Sequence, residues 1–141
     1  MIGYATLVQA LRKGYNVRTA VRTQAGFDKI ITLLPVKSYV DQLECFIVPD
    51  ITIPGAYDEA VKGVEYVIHI AAPLAQTYFT DFEKEVIQPS VMGTIGMLES
   101  ASKERGIKRI VITGSIASVA EGKSILTGPG DIIYTGMADL F

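Results

Sequence analysis

Four short stretches of this sequence place chemically capable residues at or just after a run of strand-forming residues. Arg22 follows YNVRTAV, Asp50-Ile51 follow LECFIVP, Ala71-Ala72-Pro73 come at the end of YVIHI, and Thr113-Gly114-Ser115 come at the end of KRIVI. An arginine offers a planar fork of donors to a phosphate, or simply a solvated charge. Asp50 can accept a hydrogen bond from an adenine amino group, or cap the turn that Pro49 begins. Two alanines and a proline let a ligand approach the backbone closely, or form a tight turn. Ser115 can hydrogen-bond a substrate oxygen, or cap a following helical turn. In open parallel sheets, ligands bind beyond the carboxyl ends of the strands. One such residue at each strand end, in order, is therefore a stronger signal than any of them alone. His69, the only histidine, lies inside an apolar strand and is expected to be a buried, hydrogen-bonded core residue. Cys45 reads as a small buried apolar residue of a strand. No Cys/His cluster or carboxylate pair has the spacing of a metal site.

The elements that must position these residues alternate along the chain. Leu7, Val8 and Leu11 form an apolar stripe at helical spacing, with Lys13 in the last turn and Gly14 where a left-handed cap belongs. Residues 15–21 alternate with period two and predict a strand. Residues 27–34 predict a helix ended by Pro35, 43–48 a strand, and 56–61 (AYDEAV) a short helix closed by Gly63. Residues 66–71 are continuously apolar, the pattern of a strand buried on both faces. A helical region from about Asp81 passes Pro89 and continues over 91–103 with Ile95, Leu98 and Ala101 at helical spacing, closed by Gly106. Residues 108–113 predict a fourth strand. Helices alternating with strands across short connections imply an α/β fold, a parallel sheet with helices on both faces.

The chain as a whole sets bounds. At 141 residues it is one domain at most, and 49% hydrophobic with 20% charged residues is globular composition. A net charge of −2 provides no electrostatic attraction to nucleic acid or an anionic membrane. Charged residues interrupt every apolar stretch well before a bilayer-spanning length, and the N-terminus lacks the order of a secretory signal. With a single cysteine, these features predict a cytoplasmic protein. There is no internal repeat and no linker.

Five segments in order resemble the extended short-chain dehydrogenase/reductases: NVRTAVRT, VPDI, VEYVIHIAAPL, DFEKEVIQPSVMGTIGMLESA and GIKRIVITGSIASV. The resemblance covers Met1 to about Val119 and is strongest to the dihydroflavonol reductases, cinnamoyl-CoA reductases and fungal ketone and aldehyde reductases of the NAD-dependent epimerase/dehydratase family. It implies a partial NAD(P)-binding Rossmann domain over 1–120 and a divergent tail over 121–141. Gly3 matches the last glycine of the family's phosphate-binding fingerprint, where backbone amides and a helix N-terminus hold a pyrophosphate. Arg22 would meet the 2′-phosphate of NADP, in preference to NAD. Asp50 and Ile51 would flank the adenine, Ala71, Ala72 and Pro73 would line the nicotinamide-ribose side, and Thr113 and Ser115 would end the strand that reaches the nicotinamide. Ser115 matches the catalytic serine that polarises a substrate carbonyl; the usual Thr-Ser-Ser is here Thr113-Gly114-Ser115.

Two departures from that pattern qualify the expectation. The family's first strand and first two fingerprint glycines have no counterpart, which would leave the strands before Arg22 and before Ala71 without their shared neighbour and with unpaired backbone groups. The Tyr-x-x-x-Lys pair is also missing: the residues four after Tyr4, Tyr15, Tyr39, Tyr57, Tyr66, Tyr78 and Tyr134 are Val8, Thr19, Leu43, Val61, Ile70, Phe82 and Ala138. In that pair the lysine's charge lowers the tyrosine's pKa so that it can act as acid or base. The expectation is thus the cofactor-binding portion of an NADP-dependent reductase of a small carbonyl substrate, inactive as this chain. A non-catalytic nucleotide-binding or interaction module is the alternative. The lack of a phosphate-binding loop argues against an unrelated flavodoxin-like domain.

Overall fold

The computed structural model describes residues 2–73 and 80–115, in the order α1 (Ile2–Arg12), β1 (Val17–Val21), α2 (Gln24–Thr32), β2 (Leu43–Ile47), β3 (Tyr66–His69), α3 (Gln88–Ser102) and β4 (Arg109–Ile112). A 3₁₀ segment, Val36–Gln42, precedes β2, and a single π-helical stretch, Glu83–Ile87, runs into α3. The chain divides into two compact units, Met1–Val111 and Ile112–Phe141. Parallel strands and packed helices confirm the Rossmann-like α/β class.

Local chemistry explains most boundaries. Gly14, at φ +83°, and Gly63, at φ +69°, both turn the chain through the left-handed region that L side chains resist. The helix expected over 27–34 instead begins at Gln24, because the Thr23 hydroxyl accepts the Gly26 amide at 3.1 Å and supplies an N-cap. It stops at Thr32, two residues before the predicted end. The expected helix over AYDEAV does not form. Residues 51–63 are a chain of turns, held by local bonds such as Ala56 N to Ile53 O and Asp58 N to Gly55 O. Six residues after Pro54 and a left-handed Gly55 are too few to repay helix nucleation.

The strands form two separate two-stranded sheets, β1–β2 and β3–β4. β1 and β3 share no neighbouring strand among the described residues. The β1–β2 pair is parallel, in register from Val17↔Leu43 to Val21↔Ile47. Each sheet has its own core. Leu7, Val8 and Leu11 of α1 bury against Val36, with Val17 of β1 and Leu43 of β2 packed beside them. Val48, Tyr57, Val61, Met97 and Ala101 form the second core, against Val67 of β3 and Ile110 of β4.

Two expectations about burial are corrected. β3 is not buried on both faces, since Tyr66 and Ile68 are each 50% exposed. Alternation sends Val67 and His69 inward and these two outward. On α3, only Ala101 of the predicted stripe is buried. Ile95 and Leu98 are exposed, and the inward face is Gly93, Gly96, Met97, Ser100 and Ala101. The helix turns its small residues inward so that it can approach the chain beneath it.

Arg18 ties the first sheet to the segment leading into the second. Its Nε donates to Glu44 at 2.6 Å, and its guanidinium donates to the carbonyls of Lys62 at 2.6 Å and Ala60 at 3.1 Å. The same group sits 4.9 Å over the Phe46 ring. Tyr15 and Tyr66 meet edge to face, 6.2 Å between centroids.

His69 is buried as expected, but its Nε2 has no hydrogen-bond partner among the described residues, and neither has the Tyr57 hydroxyl, whose ring lies edge-on at 6.1 Å. Burial lowers the imidazole pKa by disfavouring the cation. Cys45 is half-buried, and burial, then the charge of Asp28, push its thiol upward, away from a reactive thiolate.

Two predictions follow from this packing. Leu11, 1% exposed at the centre of the first core, should cost about 2–5 kcal/mol when replaced by alanine, read from the urea unfolding midpoint. The neutral, buried His69 makes stability fall as pH drops from about 7 to about 5.5, because the unfolded chain then binds a proton that the native one resists. The slope can reach at most about 1.4 kcal/mol per pH unit. As His69 is the only histidine, unfolding curves of His69→Phe should be flat across that window.

Candidate functional site

The β1–β2 register builds the site. Val21 pairs with Ile47, and the Val48 amide donates to the Val21 carbonyl at 2.8 Å, so the two strands leave the sheet side by side. Arg22 emerges from β1 beside the turn that starts at Asp50. It is exposed, and among the described residues no hydrogen bond or ion pair is formed by its guanidinium.

Asp50 is held by its own turn. Oδ1 accepts from the Thr52 hydroxyl at 2.7 Å and from the Thr52 amide at 2.8 Å. Those bonds, the hydroxyl's first, keep the carboxyl below the usual range, and the nearby charge of Arg22 adds to the effect. Turn capping is therefore realised at Asp50, while its side chain stays on the surface beside Arg22. Ile51 turns the other way. Its side chain is half-buried, packs on the second core and lies against Gly93 of α3.

Gly3 is exposed in the first turn of α1, and that turn carries no carboxylate to repel an anion. Ala71 and Ala72 are exposed and Pro73 is half-buried, just past β3. Thr113, Gly114 and Ser115 are an exposed segment of the second unit. Of the predicted site residues, Arg22 and Asp50 are the pair joined by a described interaction. Gly3 and the Ala71–Pro73 stretch belong to other segments of the first unit. Among the described residues, no group of three or more His, Cys, Asp or Glu is placed to hold a metal ion, and no helix is long and apolar enough to cross a membrane.

Sequence reasoning missed Thr52, Arg18 and Gly93. A threonine two residues after an aspartate is a local turn signature that marks the first. Gly93, Gly96 and Ser100 recur at helical spacing, which signals a face meant for close approach. For Arg18 we find no such local mark, because its partners lie in segments far along the chain.

The curated relatives are longer than this chain. It is 38% identical over 137 residues to the NAD-dependent epimerase/dehydratase ALT6 of Alternaria alternata, covering 94% of this chain and 38% of that protein. It is 31% identical to the ketoreductase CTB6 of Cercospora nicotianae, with 93% of this chain and 38% of the relative covered. Among solved structures it is similar to Gre2 of Candida albicans in complex with NADPH, with a TM-score of 0.73 at 30% identity over 84% of this chain and 35% of that one. The chain thus spans little more than a third of the proteins it resembles. The family model that matches, over residues 1–132, is that of the NAD dependent epimerase/dehydratase family, and the chain belongs to it.

Proposed function

We propose that this chain is the cofactor-binding portion of an NADP-dependent oxidoreductase that reduces a carbonyl of a small molecule in the cytoplasm. The observation that carries the proposal is Arg22: an exposed guanidinium without a bound partner, at the carboxyl end of a strand whose parallel neighbour ends at Asp50. The similarity to a reductase described as an NADPH complex supports it.

The residues present fit such a cofactor. Arg22 would pair with the 2′-phosphate through two donors of its fork, a geometry a lysine cannot offer. Asp50 would stand at the adenine, its remaining oxygen atom outside the bonds to Thr52. The carboxylate-free first turn of α1, with Gly3, would face the pyrophosphate. Ala71 and Ala72 present little bulk to the nicotinamide ribose. When bound, the nicotinamide supplies or accepts the hydride. Ser115 would orient the carbonyl, donating a hydrogen bond to the oxygen on which negative charge develops. The tyrosine–lysine pair that would complete proton transfer in the family has no match in these 141 residues.

Two measurements test this reading. Arg22→Ala should weaken NADPH binding about 10- to 100-fold, the scale of a lost charge-assisted pair, while NADH binding changes little. Equal losses for the two nucleotides would remove the 2′-phosphate assignment. The purified chain should bind NADPH yet oxidise none of it with any aldehyde or ketone. Turnover would show that proton transfer does not need a Tyr-x-x-x-Lys pair here.

A further inference from the structure

Helix α3 approaches the Asp50–Thr52 turn more closely than side chains ordinarily permit. A Cβ built on Gly93 would lie 2.6 Å from Ile51 Cδ1, 2.9 Å from Cγ1 and 3.4 Å from Cβ. At Gly96, one turn further on, the nearest atom is the Ile51 carbonyl oxygen at 3.9 Å, an ordinary contact. A glycine inside a helix is a destabilising choice relative to alanine, so its presence needs a local reason. At Gly93 that reason is space for Ile51.

The turn has few other anchors. Among the described residues, no backbone hydrogen bond from residues 49–52 reaches another element, and the Asp50–Thr52 bonds are internal to the turn. Ile51, seated against α3 and on the core of Val48, Tyr57 and Met97, fastens the turn to the body of the unit from one side, while Val48, buried in that core and bonded to the Val21 carbonyl, anchors the chain just before it. Within this turn Ile51 is half-buried against the second core while Asp50 is exposed. With Ile51 held inward, Asp50 is held outward beside Arg22.

We propose that Gly93 is a positioning residue for the adenosine end of the cofactor. By leaving a notch for Ile51 it sets where Asp50 stands relative to Arg22, without touching the ligand itself. This rests on the NADP reading above. Its signature is a coupling between positions 93 and 51 in nucleotide affinity.

The test uses the 141-residue chain and two ligands, NADPH and adenosine 2′,5′-bisphosphate, which carries only the adenosine end. Affinities are measured by calorimetry at a temperature where circular dichroism shows each variant folded. Gly93→Ala should weaken both ligands by a similar factor, about tenfold, because overpacking displaces Ile51. Gly96→Ala should leave both within about twofold. Ile51→Val should weaken binding severalfold in the Gly93 background, where the notch is left underfilled, yet restore part of the affinity in the Gly93→Ala background, where it relieves the clash. That reversal of sign is what a general loss of stability would not produce, and additive losses would overturn the proposal. If Gly93→Ala does not fold, Ile51→Val alone decides, and unchanged affinity for both ligands rejects the positioning role. A parent chain that binds neither ligand overturns the NADP reading and this inference with it; a parent that binds while Gly93→Ala binds equally well overturns this inference alone.

Discussion

The parallel pairing of β1 with β2, from Val17↔Leu43 to Val21↔Ile47, is the constraint on which the site depends. A slip of one residue would reverse the facing of every side chain on one strand. Val17 or Leu43, whichever strand had slipped, would then leave the core of α1, and Arg22 would no longer emerge beside Asp50. Two features hold the register. One is the apolar packing of Leu7, Leu11 and Val36 against the start of both strands. The other is Arg18, whose side chain spans from Glu44 on β2 to the carbonyls of Ala60 and Lys62. A guanidinium can serve three acceptors at once because its donors are fixed in a plane.

Among the described residues the first unit has two cores, each under its own pair of strands, and the candidate site grows from the place where they meet the loops. Arg22 belongs to the sheet of the first core. Asp50 follows β2 of that same sheet, but its neighbour Ile51 is seated in the second core beside α3. The chain enters the second core at Val48, and the turn from Asp50 to Thr52 follows directly on that passage. Its position is a compromise between strand pairing on one side and helix packing on the other, which gives a glycine on α3 influence over a surface carboxylate it does not touch.

Legibility in the sequence followed the range of the forces involved. Gly14 and Gly63 were readable as stops because a left-handed backbone is a property of one residue. The stripe of α1 was readable because burial repeats every turn of a helix, and Leu7, Val8 and Leu11 are all buried. AYDEAV was misread: its helical propensity was too weak, over six residues, to overcome nucleation after Pro54-Gly55. The face of α3 was misread for a different reason. Apolar Ile95 and Leu98 were expected inside, yet Gly93, Gly96 and Ser100 turn inward, since close approach of the helix to Ile51 decides the orientation.

The sequence by itself determined the class of fold, the order of the strands, the family and the residues at the strand ends. These rest on local propensity, periodicity and matched segments, all of which are properties of neighbours along the chain. Tertiary structure decided which of those residues meet. It set Asp50 in its turn with Thr52, sent Ile51 into the notch at Gly93, left Arg22 open to solvent, and exposed Ile68 on a strand whose composition promised burial. Such outcomes depend on which surfaces arrive opposite one another, and contacts between distant segments leave no periodic mark on the chain that makes them.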